Sequence, residues 1–461
     1  MPQPEPLLLN GFMMTVPGHV SPGLWRHPND RSDRYNRLDY WLGIARLLER
    51  AGFDAMFIAD TLGQLDVYEG RADASLRTAA QAPLNDPLLA ISAMAAVTEH
   101  LGFGVTVSTT YEYPYLLARK FTTLDHLTSG RVAWNIVTTL LESAARNLGL
   151  DRQVDHDERY DQAQEFVEVA YKLWEGSWED GAALRDRGTG VFTDPAKVHP
   201  IDHAGTYYRV PGPHLCEPSP QRTPVLFQAG TSPRGQAFAA RNAEVVFLMG
   251  ADAAAIRRDV RAIKELARSF GRSEGAIKFV TSVSVVTAAS DDEARAKHDE
   301  YRRYLDPDAA FALFSAFTGV DWSAYDRDTE LEYIETNASR SLLTSLAGID
   351  GGRRWKVGDI PEFMGLGSGG QTVVGGPRRA ADRLEQLAEE AEVDGFNLAY
   401  VISPGTFEDF IAHVLPELRR RGRVRTSPPV GTLRERIFPG VGPLLPADHP
   451  ASEFRLAAVA P

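Results

Sequence analysis

PVLFQAGTSPRGQAFAARNAEVVFLMG, from Pro224 to Gly250, is the stretch on which the fold turns. Val225 to Gln228 reads as a short buried strand, Gly230-Thr231 as a tight turn, and Ser232-Pro233 as a helix N-cap followed by proline at the first helical position. A second apolar strand, residues 245–249, follows the short helix. Such a unit aims backbone N–H groups, two hydroxyls and Arg234 at one point, which is a place for a phosphate. Turns of small residues between strand and helix are common, so the stretch alone is equally an ordinary capped helix. Its surroundings decide.

Outward from it the same alternation recurs. Residues 7–14, 53–59, 102–108 and 132–137 read as strands before it, and 277–286 and 395–402 as strands after it. Between them lie helical stripes. Leu38, Trp41, Leu42, Ala45 and Leu48 share one face; Asp86-Pro87 opens a helix to His100; residues 116–127, 158–174, 253–270 and 377–392 are helical; Ser290 to Glu293 has the form of a capping box; Phe407, Phe410, Ile411, Val414 and Leu418 stripe the last helix. The strands are apolar throughout rather than alternating, as strands buried on both faces must be. Eight strands alternating with eight helices describe an α/β TIM (β/α)8 barrel. Insertions are expected after strands 2, 4 and 7 (residues 61–85, 176–222 and 305–370, with 365–370 mobile), on the face where such barrels carry their sites. The expected division is a single domain over 1–425 and a Pro-rich C-terminal tail over 426–461, wrapping over the barrel or a neighbouring subunit.

The chain has 461 residues, a formal net charge of −13 and one cysteine. That charge, with no basic stripe beyond Arg419-Arg420-Arg421, argues against nucleic acid. Cys216 has no partner for an internal disulfide and reads as a packed small residue, so the chain suits a reducing cytosol. No signal peptide opens the sequence and no stretch approaches a membrane span, so a cytoplasmic protein with no membrane partner is expected.

The strand ends place Asp60, Thr106, Ser108, Asn135, Thr138, Thr139, Gln228, Thr231 and Ser232 on one rim, rich in hydroxyls and amides. The seventh strand ends without a carboxylate, which disfavours glycoside hydrolysis. His199 and His203 have metal-compatible spacing but no third ligand, so no metal is expected. His156 and Tyr160 stand one helical turn apart at a helix start and are plausible walls of the same pocket.

Six ordered segments carry a family likeness: Trp25-Arg26-His27-Pro28, Phe57-Ile58-Ala59-Asp60, Ala95 to Gly102, Leu124 to Thr139, His156-Asp157-Glu158-Arg159-Tyr160, and Phe227-Gln228-Ala229-Gly230. From about residue 7 to 436 the chain resembles the bacterial luciferase-like flavin monooxygenases. It looks most like the group containing nitrilotriacetate, dibenzothiophene sulfone and dimethyl sulfide monooxygenases. The resemblance implies a TIM barrel that takes reduced FMN as a diffusible cosubstrate from a separate NADH:FMN oxidoreductase, a transient partner, and uses O2 to oxygenate a small molecule. Carried over by position, Asp60, Thr106, His156, Tyr160, Thr231 and Ser232 match cofactor contacts, the last two at the phosphate, and Asn135, His156 and Tyr160 are the catalytic candidates. The segments Tyr35 to Trp41, Val67 to Gly70, Asn85 to Pro87 and Cys216 to Pro224 resemble the dimethyl sulfide branch, implying an organosulfur substrate and C–S cleavage. Residues 321–370 depart from that branch and are expected to cap the pocket, which keeps aromatic, halogenated and aminopolycarboxylate substrates in play. A homo-oligomer is expected. Two other readings compete: a deazaflavin-dependent reductase, and a flavin-binding protein without turnover.

Overall fold

The computed structural model describes residues 5–250, 252–331, 355–427 and 430–456. Eight strands form its centre: β1 (Leu8–Met14), β2 (Ala55–Ala59), β3 (Gly102–Ser108), β4 (Val132–Val137), β5 (Val225–Gln228), β6 (Val245–Leu248), β7 (Lys278–Val286) and β8 (Gly395–Ala399). Each pairs in parallel with its neighbours in sequence, and β8 returns to β1, so the sheet closes into the expected barrel. The strands found are the eight read from the sequence. Nearly every strand residue is buried, which is why the strands were legible as largely apolar runs, interrupted by single polar residues such as Asn10, Asn135 and Asn397 and by Thr281, Ser282 and Ser284 of β7.

Inside the barrel Phe12, Phe57, Phe227 and Phe247 meet edge to face, with ring centroids 5.2–5.6 Å apart. They fill the lumen and form an apolar floor beneath the C-terminal strand ends. Outside, the helices bury the expected stripes with local differences. Helix Leu38–Ala51 turns Tyr40, Trp41, Ile44 and Leu48 inward and leaves Leu38, at its first position, exposed. The helix opened by Asp86 ends at Ala95 rather than His100. Asp86 still caps it, accepting from Leu88 N at 2.9 Å. Ser290 accepts from Glu293 N, which is one half of the expected capping box.

Two of the three long excursions sit on the C-terminal side. The third, residues 176–222, was expected there too but starts and ends on the N-terminal side, because helix His156–Gly176 first carries the chain down from the mouth and Gln221 then bonds to Asp125 and to Val132 O at the start of β4. Helix Pro307–Thr318 is buried on nearly all faces and gathers the C-terminal-side loops around it: Phe311 stacks on Tyr68 at 5.5 Å, and Leu141, Ala144, Ile360 and Met364 share its apolar cluster. The expectation that residues 321–370 cap the pocket falls partly on 332–354, which lie outside the described residues. Residues 365–370, expected to be mobile, are tied down: Gly367 N and Ser368 Oγ both donate to Val20 O, at 3.0 and 2.8 Å. A short strand, Gln371–Val374, then pairs with the upper half of β7.

The tail closes the opposite end. Helix Leu433–Ile437 starts in a capping box between Thr432 and Glu435, and its Leu433 and Ile437 join the cluster inside the barrel. Arg434 is fully buried there, with Nε on Glu244 Oε1 at 2.7 Å and Nη2 on Glu244 Oε2 at 2.9 Å. Among the described residues no helix is long and apolar enough to cross a membrane.

Candidate active site

Adjacent strands carry the site in register. Thr106 of β3 pairs with Asn135 of β4, and Ile136 of β4 with Gln228 of β5, so these side chains lie on neighbouring rungs near the strand ends. Thr106 and Asn135 both face the lumen. Asn135 Nδ2 donates to Thr106 Oγ1 at 2.8 Å, which leaves Asn135 Oδ1 buried without a partner. Ser282 Oγ and Ser284 Oγ are buried and unpartnered toward the same mouth, and Gln228 Oε1, on the outward face of β5 beside Gly230, is buried and unpartnered as well. Folded proteins keep few such atoms, because each loses water without replacement. Here they cluster where barrels of this kind act.

Beyond the strand ends the rim hydroxyls zip β3 to β4. Thr139 Oγ1 donates to Ser108 Oγ at 2.6 Å, and Thr110 Oγ1 to Thr138 O at 2.8 Å. Helix His156–Gly176 begins directly above. Its Arg159, read from sequence only as part of a motif, is buried and donates to Thr139 O at 2.8 Å, which fixes the helix start on the end of β4. His156 lies against Tyr160 edge to face, centroids 5.3 Å apart, and its Nδ1 is 2.7 Å from Asp157 Oδ1. Tyr160 is buried beside Phe238, and its hydroxyl is in hydrogen-bonding contact with the Ser232 and Thr138 side chains. Burial raises its pKa, so it acts as a neutral hydroxyl.

The loop after β5 meets this tyrosine. Ser232 caps helix Pro233–Asn242, its Oγ accepting from Gly235 N at 3.1 Å, with Pro233 at the first helical position. Thr231 stands beside it, half-buried. Arg234 was expected at the same point; the structure turns it outward into an ion pair with Asp161. Among the described residues the donor set for an anion at this helix head is therefore helix N–H groups and hydroxyls, with Arg234 engaged elsewhere.

Asp60 follows β2 on the same rim. Burial, with Asp86 as a minor contributor, pushes its carboxyl up to about 7 against the hydrogen bond from Thr61 N. The rim of β1 went unread in the sequence, yet residues 15–24 are buried almost throughout. His19 packs on Phe12 at 4.5 Å and faces Tyr400 at 5.9 Å. Burial lowers its pKa to about 3, so it is a neutral imidazole, with Nδ1 unpartnered. The signal available was positional: a histidine a few residues past the first barrel strand. Val20, Leu366, Val401 and Ile402 make this side of the mouth apolar.

The other candidates are structural. His203 bridges Lys172 and Glu165, and His199 pairs with Glu179, so their spacing serves the excursion. Among the described residues no group of three or more His, Cys, Asp or Glu could hold a metal ion. Cys216 is half-buried and its thiol pKa is raised by burial, which keeps it protonated.

A flavin mononucleotide fits what the mouth offers. Orphaned acceptors and hydroxyls suit the N–H and carbonyl edge of a ring system, the apolar floor suits its face, and the capped helix suits a phosphate.

Residues 14–395 match the model of the family described as luciferase-like monooxygenase. The chain is 50% identical over 453 residues to dimethyl-sulfide monooxygenase from Hyphomicrobium sulfonivorans, covering 98% of this chain and 94% of that one. It is 46% identical over 447 residues to long-chain alkane monooxygenase from Geobacillus thermodenitrificans, covering 97% of each. Among solved structures, the crystal structure of DmoA from Hyphomicrobium sulfonivorans superposes with a TM-score of 0.92 at 50% identity, over 99% of this chain and 97% of that one. A riboflavin lyase solved with modified FMN and riboflavin gives 0.93 at 40% identity, over 98% of this chain and 100% of that one.

Proposed function

The chain belongs to the luciferase-like monooxygenase family, and from that premise we propose that it is a two-component enzyme using reduced FMN and O2 to oxygenate a small dialkyl sulfide. The observation that carries the cofactor is the junction of two elements at one mouth: Asn135 and Thr106 on the strand ends, and Tyr160 with Ser232 at the helix head. Reduced FMN, when bound, supplies the electrons that activate O2. The chain's own residues do the rest. Ser232, Thr231 and the first turn of helix Pro233–Asn242 would hold the phosphate, with Tyr160 and His156 as its wall. Asn135, hydrogen-bonded to Thr106, would present its carbonyl oxygen to the ring edge, and Asp60 flanks the mouth. The phenylalanine floor and the Val20–Leu366 side exclude water from the reacting face. A separate NADH-dependent flavin reductase supplies the reduced cofactor.

The substrate reading rests on two supports. One is the 50% identity with a dimethyl-sulfide monooxygenase. The other is that, among the described residues, Arg234 pairs outward with Asp161 and Arg159 donates to Thr139 O. Neither forms part of a guanidinium pair that a polycarboxylate would use. Oxygenation of a methyl group next to sulfur would put one oxygen atom on that carbon and send the other to water; the C–S bond then breaks to a thiol and an aldehyde. The test is product analysis in aerobic assays with a generic flavin reductase, NADH, FMN and a panel of dialkyl sulfides, alkanes and aromatic sulfones. Thiol and aldehyde from dimethyl sulfide are expected. Turnover without O2 would overturn the oxygenase, and turnover confined to alkanes or sulfones would overturn the sulfide.

A further inference from the structure

Gly235 is out of place by helix propensity. It stands three residues after the Ser232 N-cap, in the first turn of a 10-residue helix, where glycine costs backbone entropy that alanine would not. Neither Gly230 nor Gly235 has a left-handed backbone that would demand glycine. The requirement is spatial. A Cβ on Gly235 would fall 2.8 Å from the Tyr160 hydroxyl and 3.1 Å from both the carbonyl carbon of Gly230 and Ser232 Oγ, the tyrosine oxygen being the nearest. A Cβ on Gly230 would fall 2.9 Å from the same hydroxyl and 2.5 Å from Gln228 Nε2. The two glycines thus pack against each other, and the tyrosine hydroxyl lies over the seam between them. Tyr160 has little room to retreat, because His156 and Phe238 pack on its ring at 5.3 and 5.8 Å and it is 8% exposed.

We propose that Gly230 and Gly235 are positioning residues that seat the Tyr160 hydroxyl at the head of helix Pro233–Asn242, where it joins Ser232 as a donor to the cofactor's phosphate. The inference rests on the reading of this helix head as the phosphate site. Its specific content is that the glycines act through the tyrosine. An added methyl group displaces the hydroxyl from the helix head without touching the ring pocket. Riboflavin, which has no phosphate, is therefore the control ligand.

The experiment is anaerobic titration of reduced FMN and reduced riboflavin into wild type, Gly235→Ala, Tyr160→Phe and the double variant, with thermal melting of each. Wild type should bind FMN more tightly than riboflavin. Gly235→Ala should weaken FMN about tenfold, the scale of a lost hydrogen bond to a charged group, and change riboflavin less than about twofold. In the Tyr160→Phe background, which removes the crowded oxygen, adding Gly235→Ala should cost FMN less than about twofold. Gly230→Ala serves as a second single variant if Gly235→Ala does not fold. An equal penalty in both backgrounds, an equal loss for both flavins, or no effect of Gly235→Ala overturns the positioning role. A wild type that does not distinguish FMN from riboflavin overturns instead the phosphate reading beneath it.

Discussion

The two ends of the barrel bury different polar groups: the N-terminal end encloses arginines, among them Arg436, whose Nε and Nη2 lack a partner among the described residues, and the C-terminal mouth encloses neutral acceptors and hydroxyls. At the N-terminal end Arg434 of the tail is fully enclosed, and its guanidinium reaches both oxygens of Glu244 and the carbonyls of Thr223, Gln221 and Pro443. At the C-terminal mouth Asn135 Oδ1, Ser282 Oγ, Ser284 Oγ and His19 Nδ1 are equally enclosed and have no partner among the described residues. A buried polar group that is satisfied holds a structure together, whereas one left unsatisfied costs stability unless something else completes it. The Arg434–Glu244 pair keeps the bottom of the barrel shut. The top is built to receive a ligand.

The largest test strikes the arginine end. Arg434→Met should leave Glu244 buried without its cation and destabilise the fold by about 3–5 kcal/mol in chemical denaturation. The folded fraction should still bind FMN as wild type does, since the mouth lies at the other end. If Arg434→Met weakened FMN strongly at full occupancy of the folded state, the separation of the two ends would fail.

At the mouth the effects should fall on ligand rather than fold. Thr231→Ala with Ser232→Ala should raise the FMN dissociation constant about tenfold to a hundredfold, by loss of charge-assisted hydrogen bonds. The melting transition should reflect only a lost cap, about 1 kcal/mol. Asn135→Leu should lower kcat about tenfold; it removes an orphaned buried acceptor but also the donor to Thr106 Oγ1, so stability should fall by no more than about 1–3 kcal/mol. A larger loss of stability would mean that Asn135 is a packing residue.

The smallest effect sharpens the contrast through pH. Asp60 has a folded pKa of about 7, above its unfolded value, so the folded state binds the extra proton. Its contribution is fully present below the unfolded pKa of about 4 and is lost as pH rises toward 7. Asp60→Asn should therefore gain stability relative to wild type between about pH 4 and 7, with a constant difference above that. Parallel denaturation profiles over the whole range would place Asp60 in a different environment.

Much of this was legible along the chain, for reasons that differ by element. The β5 stretch announced strand, turn, cap and strand because each signal is local: an apolar run, small residues, serine before proline. Arg234 was misplaced because its direction depends on Asp161, 73 residues earlier and one helix away. Residues 365–370 looked mobile by glycine content alone, yet Val20 O, far distant in sequence, holds them. His19 and Arg159 escaped notice as candidates because nothing in their neighbours' periodicity marks a buried loop or a buried arginine.

By itself, then, the sequence determined the barrel, the order of its strands and the rim residues Asp60, Thr106, Asn135, Tyr160, Thr231 and Ser232. Periodicity and capping are written within a dozen residues, and a parallel barrel leaves each strand end at a known face. Only the tertiary structure decided which polar atoms at that face keep a partner. It also decided that the tail plugs the far end, and that a tyrosine rests on two glycines 70 and 75 residues away. Those are facts of distance between segments, set by how strands and helices pack, and no local pattern encodes them.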